Sequence, residues 1–187
     1  MGLVDTAGGA TITMPSIPAG RYASIYLVDN DHYVPGVIYE PGTYELPSDT
    51  RYLGIGVRIQ LFDSNDAAEV ALVNSLQDQF TITANSATTF PQPQWDTASL
   101  DALRTLYEAE FKTYSRYPSD WQGKRGEVDD QTRHLAAAGA WGLFPERDAT
   151  YIGYSGDHDA AVCHSATYEV PETMRSGRSP CTEQMAT

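Results

Sequence analysis

Four hydrogen-bonding side chains stand in a row at Asp29, Asn30, Asp31 and His32, inside the stretch YLVDNDHYVP. Histidine alone titrates near neutrality without help, so His32 beside Asp31 could move a proton. The oxygen-bearing neighbours suit a hard cation such as calcium. That ion needs six or more oxygens on a shaped loop, and the stretch has neither the glycine nor the terminal glutamate of an EF-hand. Asx residues at a strand junction also build turns by bonding their own backbone, and the spacing favours the turn.

Three more places hold residues that could do chemistry. In RYLGIGVRIQLF, Gly54 and Gly56 share a face with Arg58, the one charge beside them. Strand glycines let a ligand or another backbone come close, and they also make room for large neighbours. His134 follows Glu127 by seven positions, which suggests either an acid–base pair or a histidine bonded to a capping carboxylate. GDHDAAVCH brings together Asp157, His158, Asp159, Cys163 and His164, residue types that suit zinc. Its spacing matches neither CxxC nor HExxH, so a polar turn is the simpler reading. The chain contains no GxSxG, no phosphate-binding glycine loop and no dinucleotide fingerprint.

The elements that must position these residues are mostly strands in the first half. ATITMPS alternates Ile12 and Met14 against threonines, as a half-buried strand does. RYASIYLVD puts Ala23, Ile25 and Leu27 on one face and Tyr22, Tyr26 and Val28 on the other, so both faces should be covered. HYVPGVIY is interrupted at Pro35-Gly36, which marks a bend or an edge strand. EPGTYEL reads as a turn feeding a short strand. RYLGIGVRIQLF is the clearest strand, with Leu53, Ile55, Val57, Ile59 and Leu61 at period two.

Helical spacing follows. Val70, Val73, Leu76 and Phe80 predict a helix over about 66–77, capped by Ser64 or Asn65. After the strand-like TITA and a proline-rich connector, Leu100, Leu103, Leu106, Tyr107 and Phe111 predict a second helix opened by Asp96 or Thr97. A third should start near Asp129 or Asp130 and stop at Gly139 or Gly142. Beyond lie β-like pieces and then a polar tail without periodicity.

Composition limits the partners. With 25 acids against 12 bases the formal charge is −13, which would repel a phosphate backbone, so nucleic acid is not an expected partner. A divalent cation remains open on charge grounds, and no other cofactor is indicated. No apolar run approaches the roughly 20 residues that cross a bilayer, so membrane insertion is not expected. The chain opens without a leader, which fits a cytoplasmic protein, or a periplasmic or secreted one whose leader was removed. Cys163 and Cys181 either stay free or close one bridge.

Four blocks together carry a resemblance: DTAGGATITMPSIPAGRY, NDHYVPGVIYEPGTYEL, TRYLGIGVRIQLFDSNDAAEVALVNSLQDQ and GEVDDQTRHLAAAGAWGLFPERDATYIG. They are similar to the bacterial family whose members pair domains of unknown function 1254 and 1214, from about Val4 to Tyr154. The resemblance implies a β-sandwich leading through helices into a jelly-roll-like second domain, and it implies no settled activity. Family members continue past the equivalent of TYEV into more sheet, whereas this sequence ends in EVPETMRSGRSPCTEQMAT.

The expected architecture is therefore mainly β, an α+β chain with an antiparallel sandwich at 4–95 and a helical connector at 96–142. A remnant of the second β-domain is expected at 143–170, incomplete as a jelly roll, with a disordered tail at 171–187. An unfinished sheet leaves a bare edge, so a homo-oligomer through that edge is expected. The leading functional expectation is a binding or assembly module without demonstrated catalysis. The alternative is a hydrolase acting on a carbohydrate or small polar substrate, with His32, Asp31 and Arg58 catalytic and Gly54, Gly56, His134 and Glu127 contacting ligand.

Overall fold

In a computed structural model of the chain, residues 1–114, 119–139, 142–149 and 151 are described. Among these residues seven strands form two antiparallel sheets. They are β1 (Gly2–Asp5), β2 (Ala10–Met14), β3 (Ala23–Asp29), β4 (Gly36–Ile38), β5 (Gly42–Glu45), β6 (Tyr52–Ile59) and β7 (Thr81–Ala84). The first sheet runs β1-β6-β3-β4 and the second β5-β2-β7. The helices are α1 (Ala67–Gln77), α2 (Thr97–Phe111) and α3 (Arg133–Gly139), with a 3₁₀ turn at Ser119–Trp121. This is the expected mainly β, α+β architecture, a two-layer sandwich with three helices.

Alternation explains the layers. Leu53 and Ile55 of β6, Ala23, Ile25 and Leu27 of β3, and Val4 of β1 meet Ala10, Ile12 and Met14 of β2 in one buried cluster between the sheets. Val57, Ile59 and Ile38 pack at its margin. The other face of β3 is covered as well. Tyr26 and Val28 join Val34 and Phe144 in a second cluster, so all seven residues of β3 are buried. β3 and β6 pair in register from Ala23↔Ile59 to Asp29↔Leu53.

The sequence pattern did not announce β1, because GLVD has no alternation to read. It forms because β6 offers it a partner, from Gly2↔Ile55 to Asp5↔Tyr52. Asp5 then fixes its end. The buried carboxylate accepts from Ser86 Oγ, from the Thr88 and Ala7 N–H groups and from Arg51. The Ser86 bond first, and then Arg51, hold the acid well below the usual carboxylate range.

α1 is capped by Asp66, whose side chain accepts from the Ala68 N–H, rather than by Ser64 or Asn65. Asp66 has the extended backbone that a cap residue needs. Val73 and Leu76 are its buried residues. Glu69 in the first turn pairs with Arg21 at 2.8 Å, both side chains being nearly buried, and also accepts from the Phe62 N–H.

α2 is capped by Asp96, as its sequence suggests, yet buries none of its residues. α3 is shorter than the pattern predicts. Residues 129–132 form a turn instead, because Asp129 accepts from the Gln131 N–H and the Thr132 hydroxyl, and the helix begins only at Arg133. Trp121, Leu135 and Ala136 make a small third cluster, with Tyr107 of α2 against it. No helix among the described residues is long and apolar enough to cross a membrane.

Candidate functional site

The stretch that opens the search is a hairpin reversal. The His32 N–H donates to the Asp29 carbonyl at 3.0 Å and the Asp29 N–H to the Tyr33 carbonyl at 2.9 Å. His32 has φ +67, so the left-handed residue closing a three-residue loop is a histidine where glycine is usual. The Asp29 carboxylate accepts from the Asp31 and Tyr33 N–H groups and fixes the loop from inside. Two of the residues considered as cation ligands are thus committed to the turn and its ion pairs.

The loop is held from above by residues far along the chain. Arg125 reaches Asp31 at 2.8 Å and Asp29 at 3.2 Å, with its guanidinium carbon 4.1 Å from the Tyr33 ring centroid. Arg133 lies 3.8 Å from the same ring, pairs with Asp130 and donates to the Asp31 carbonyl. The Tyr33 hydroxyl donates to Asp130. That bond, ahead of burial, raises the phenol pKa, and the same bond, opposed by desolvation, lowers that of Asp130. His32 Nε2 accepts from the Gly142 N–H at 3.4 Å. Burial, and then the Arg133 charge, push its pKa below the ordinary 6.5.

Beside this pinned reversal the chain forms an open cleft of about 280 Å³. One wall carries Asp120, Lys124 and Glu127, and the other Pro145, Glu146 and Arg147. The first wall is held by hydrogen bonds. Buried Trp121 donates to Thr132 Oγ1, the Asp129 N–H closes onto the Asp120 carbonyl, and the Val34 N–H donates to the Gly123 carbonyl. The tight turn after Lys124 uses Gly126 at φ +82, a conformation that glycine adopts without strain. The second wall turns on Pro145, whose carbonyl accepts from Asp148 and Ala149, while Asp148 accepts from Tyr39 at 2.7 Å. Asp120, Lys124, Glu127 and Glu146 make no ion pair among the described residues, and all four are exposed.

The residues singled out from sequence do not all converge. Asp31 and His32 share the reversal, but Arg58 lies elsewhere. It sits five positions along β6 from Leu53, the partner of Asp29, so about 17 Å of strand separates the two places. The segment 142–144 runs between them. Gly142 meets His32, the Tyr26 hydroxyl donates to the Leu143 carbonyl, and Phe144 stacks 4.8 Å from Tyr26 with Arg58 4.3 Å from its ring.

Gly54 is buried between Leu3 and Val28 across its two ladders. A Cβ at Gly56 would stand 3.4 Å from the Met1 Cε and 3.9 Å from the Tyr26 Cβ, so large neighbours occupy that space. Glu127 and His134 are not a pair. His134 faces Glu110 of α2 at 3.5 Å and stacks on Tyr107, a carboxylate from a helix's last turn rather than a cap. Glu127 lines the cleft. Among the described residues no three His, Cys, Asp or Glu side chains group as metal ligands. Asp157, His158, Asp159, Cys163, His164 and Cys181 lie outside the described residues, as does nearly all of the stretch assigned to a second domain and tail.

Arg125, Arg133, Asp130 and the cleft wall at 120–124 carried no signal of their own. They reach the reversal and the residue after it across 89 or more positions, and neither periodicity nor a short motif encodes such a distance. The one available hint was a cluster of arginines and acids within the stretch assigned to a helical connector.

Compared with known families and with curated proteins, the chain matches no family model and no curated protein. Among solved structures it is similar to the VPA0106 protein from Vibrio parahaemolyticus, at 13% identity over 74% of this chain and with a TM-score of 0.42. The match covers 44% of that protein, so this chain spans less than half its length.

Proposed function

We propose that this chain is a binding and assembly module of the family pairing domains of unknown function 1254 and 1214. Its sandwich is a scaffold for the cleft between residues 120–127 and 145–147. The observation that carries the reading is that cleft's lining. Charged side chains of both signs, Asp120, Lys124, Glu127 and Glu146, make no ion pair among the described residues and stand on loops bonded to one another and to Val34. A cleft of about 280 Å³ lies just below the usual range of ligand sites, which points to a small ligand. No aromatic ring is among its lining residues, so recognition falls to charge pairing and hydrogen bonding rather than stacking. This suits a small ligand carrying both an ammonium and a carboxylate, such as a free amino acid or a short peptide, better than a sugar.

The test is a thermal-shift and calorimetric titration with free amino acids, dipeptides and monosaccharides. The expected result is a rise in melting temperature with a zwitterion, because a ligand bound only by the folded state must stabilise it. Lys124→Ala combined with Glu127→Gln should abolish the rise while leaving the unliganded melting temperature in place. No shift with any zwitterion at millimolar concentration, or a shift unchanged in the double variant, overturns the assignment. The competing reading, a hydrolase using His32, Asp31 and Arg58, needs those three in one pocket, and the strand length between Arg58 and the reversal weighs against it.

A further inference from the structure

Among the described residues four strands border the two sheets, and three of them are guarded. β4 has only three residues and follows Pro35, β5 stands between Pro41 and Pro47 and carries Glu45, and β1 ends in the charged Asp5. Brevity, proline and charge are the means by which a sheet edge is kept from pairing. β7 carries neither charge nor proline. Three of its four residues are β-branched, all four are exposed, and no charged residue stands between Asp78 and Asp96.

The ladder shows which backbone groups of β7 lack a neighbour. The Leu46 N–H donates to the Ala10 carbonyl and the Asn85 N–H to the Gly9 carbonyl. Antiparallel bonding alternates along a strand, so Ala10 and Ile12 of β2 bond towards β5, while Thr11 and Thr13 bond towards β7. Thr83 and Thr81, their partners, are thereby engaged. The N–H and C=O groups of Ile82 and Ala84 point the other way, and these four meet no partner among the described residues.

We propose that the chain pairs with a second copy of itself through β7, antiparallel, about a two-fold axis that passes Thr83. A two-fold contact must complement itself. In this register Ile82 exchanges both backbone bonds with Ala84 of the other copy, and Ala84 with its Ile82, so all four outward groups of each strand are used. Thr83 then faces Thr83 as a narrow pair, the geometry in which the Thr13 and Thr43 hydroxyls already bond at 2.9 Å. On the other face Ile82, 46% exposed and beside buried Ile12, covers the small Ala84 of its neighbour. Charge favours the same place, since each copy brings −13 and this stretch brings none of it. The product is one six-stranded sheet, joined over a contact in the size class of transient interfaces.

The inference rests on the assembly half of the proposed function and names its surface. Light scattering behind size exclusion on the full chain, over a range of concentrations and with circular dichroism as the folding control, is the test. The expected result is a weak dimer. Ala84→Pro deletes two of the four joining bonds without touching the β2 ladder, and should weaken it about thirtyfold. Thr83→Lys sets like charges opposite each other and should weaken it about tenfold, while an equimolar mix of Thr83→Lys and Thr83→Glu restores it. In a Cys163→Ser, Cys181→Ser background Thr83→Cys should cross-link on oxidation, because Cα atoms about 4.5 Å apart lie within disulfide reach. Thr43→Cys, on β5, should not.

A dimer that Ala84→Pro and Thr83→Lys leave at wild-type strength, or one that the mix fails to restore, keeps assembly and overturns the β7 pairing. A wild-type chain that stays monomeric at all concentrations overturns the pairing and self-assembly together, and leaves the edge to a strand of another protein.

Discussion

Helices α1 and α2 have the same kind of sequence, apolar residues at helical spacing behind an aspartate cap, and opposite fates. α1 turns Val73 and Leu76 inward and docks its Glu69 on Arg21, beside the sandwich. α2 keeps its leucines in solvent. The period of a pattern reports that a helix has an apolar face, but not which surface that face will meet. α1 has a partner only a few positions before it, at β6. α2 follows a connector rich in proline, and among the described residues it touches little besides α3, the 3₁₀ turn and Tyr114.

The sharpest way to break this contrast is to truncate one residue on each side of it. Ile12→Ala removes a fully buried side chain between the sheets and should cost about 2–5 kcal/mol of unfolding free energy, through lost transfer energy and the cavity left behind. Leu103→Ala, on the exposed side of α2, should change it by no more than about 0.5 kcal/mol. Chemical denaturation of both variants decides the matter. Comparable losses would mean that α2 is covered within a single copy.

The sandwich also contains its own contrast, between two glycines. A Cβ at Gly8 would lie 2.9 Å from the Asn85 Cβ and 3.1 Å from that residue's carbonyl carbon, and backbone cannot step aside. Gly8→Ala should therefore destabilise by about 1–3 kcal/mol. At Gly56 the nearest atom is the end of the flexible Met1 side chain, so Gly56→Ala should be tolerated within about 0.5 kcal/mol, by the same denaturation assay. A costly Gly56→Ala would revive that glycine as a place where something other than Met1 must approach.

How far the sequence could be read follows the same division. Alternation in β2, β3 and β6 identified the core, because period-two patterns are local and each strand's neighbour lies within a few dozen positions. β1 was invisible, since four residues without alternation become a strand only when β6 is already there to pair with. His32 was visible as a titratable group in a polar run, and the turn was the better physical reading of that run. What made the place distinctive, Arg125 and Arg133 against Tyr33, depended on contacts across about a hundred positions. Gly54 and Gly56 looked like an opening because a glycine reads the same whether its space is empty or filled by Tyr26.

Acid should act first on the joints that tie α1 and β1 to the sandwich. The side-chain bond to Arg21, and then the Phe62 N–H, lower the Glu69 pKa from 4.5 to about 2. Because the folded pKa lies below the unfolded one, the unfolded chain binds the proton more readily as pH falls. The contribution is complete above about pH 4.5 and is lost progressively down to about 2, and Asp5 acts with the same sign. Melting temperature followed from pH 6 to pH 2 should fall most steeply in that window. Glu69→Gln should be less stable at neutral pH and show a shallower fall.

The smallest effect should come from the residue with the most obvious chemistry. His32→Gly relieves a left-handed backbone that costs a non-glycine residue about 1–2 kcal/mol, less for histidine than for most. It also frees the unfolded chain, at about 0.5–1 kcal/mol, and removes a bond from the Gly142 N–H worth about as much. These terms nearly cancel, so stability at pH 8 should move by less than about 1 kcal/mol. Acid separates the variants further. The folded state holds His32 below 6.5, so the wild type loses stability as pH falls through that value, whereas His32→Gly lacks this loss and should gain on the wild type between pH 7 and pH 5. Parallel melting curves over that range would mean the ring is as free to protonate in the folded chain as in water, and His32 would again be a candidate for proton transfer rather than the last residue of a turn.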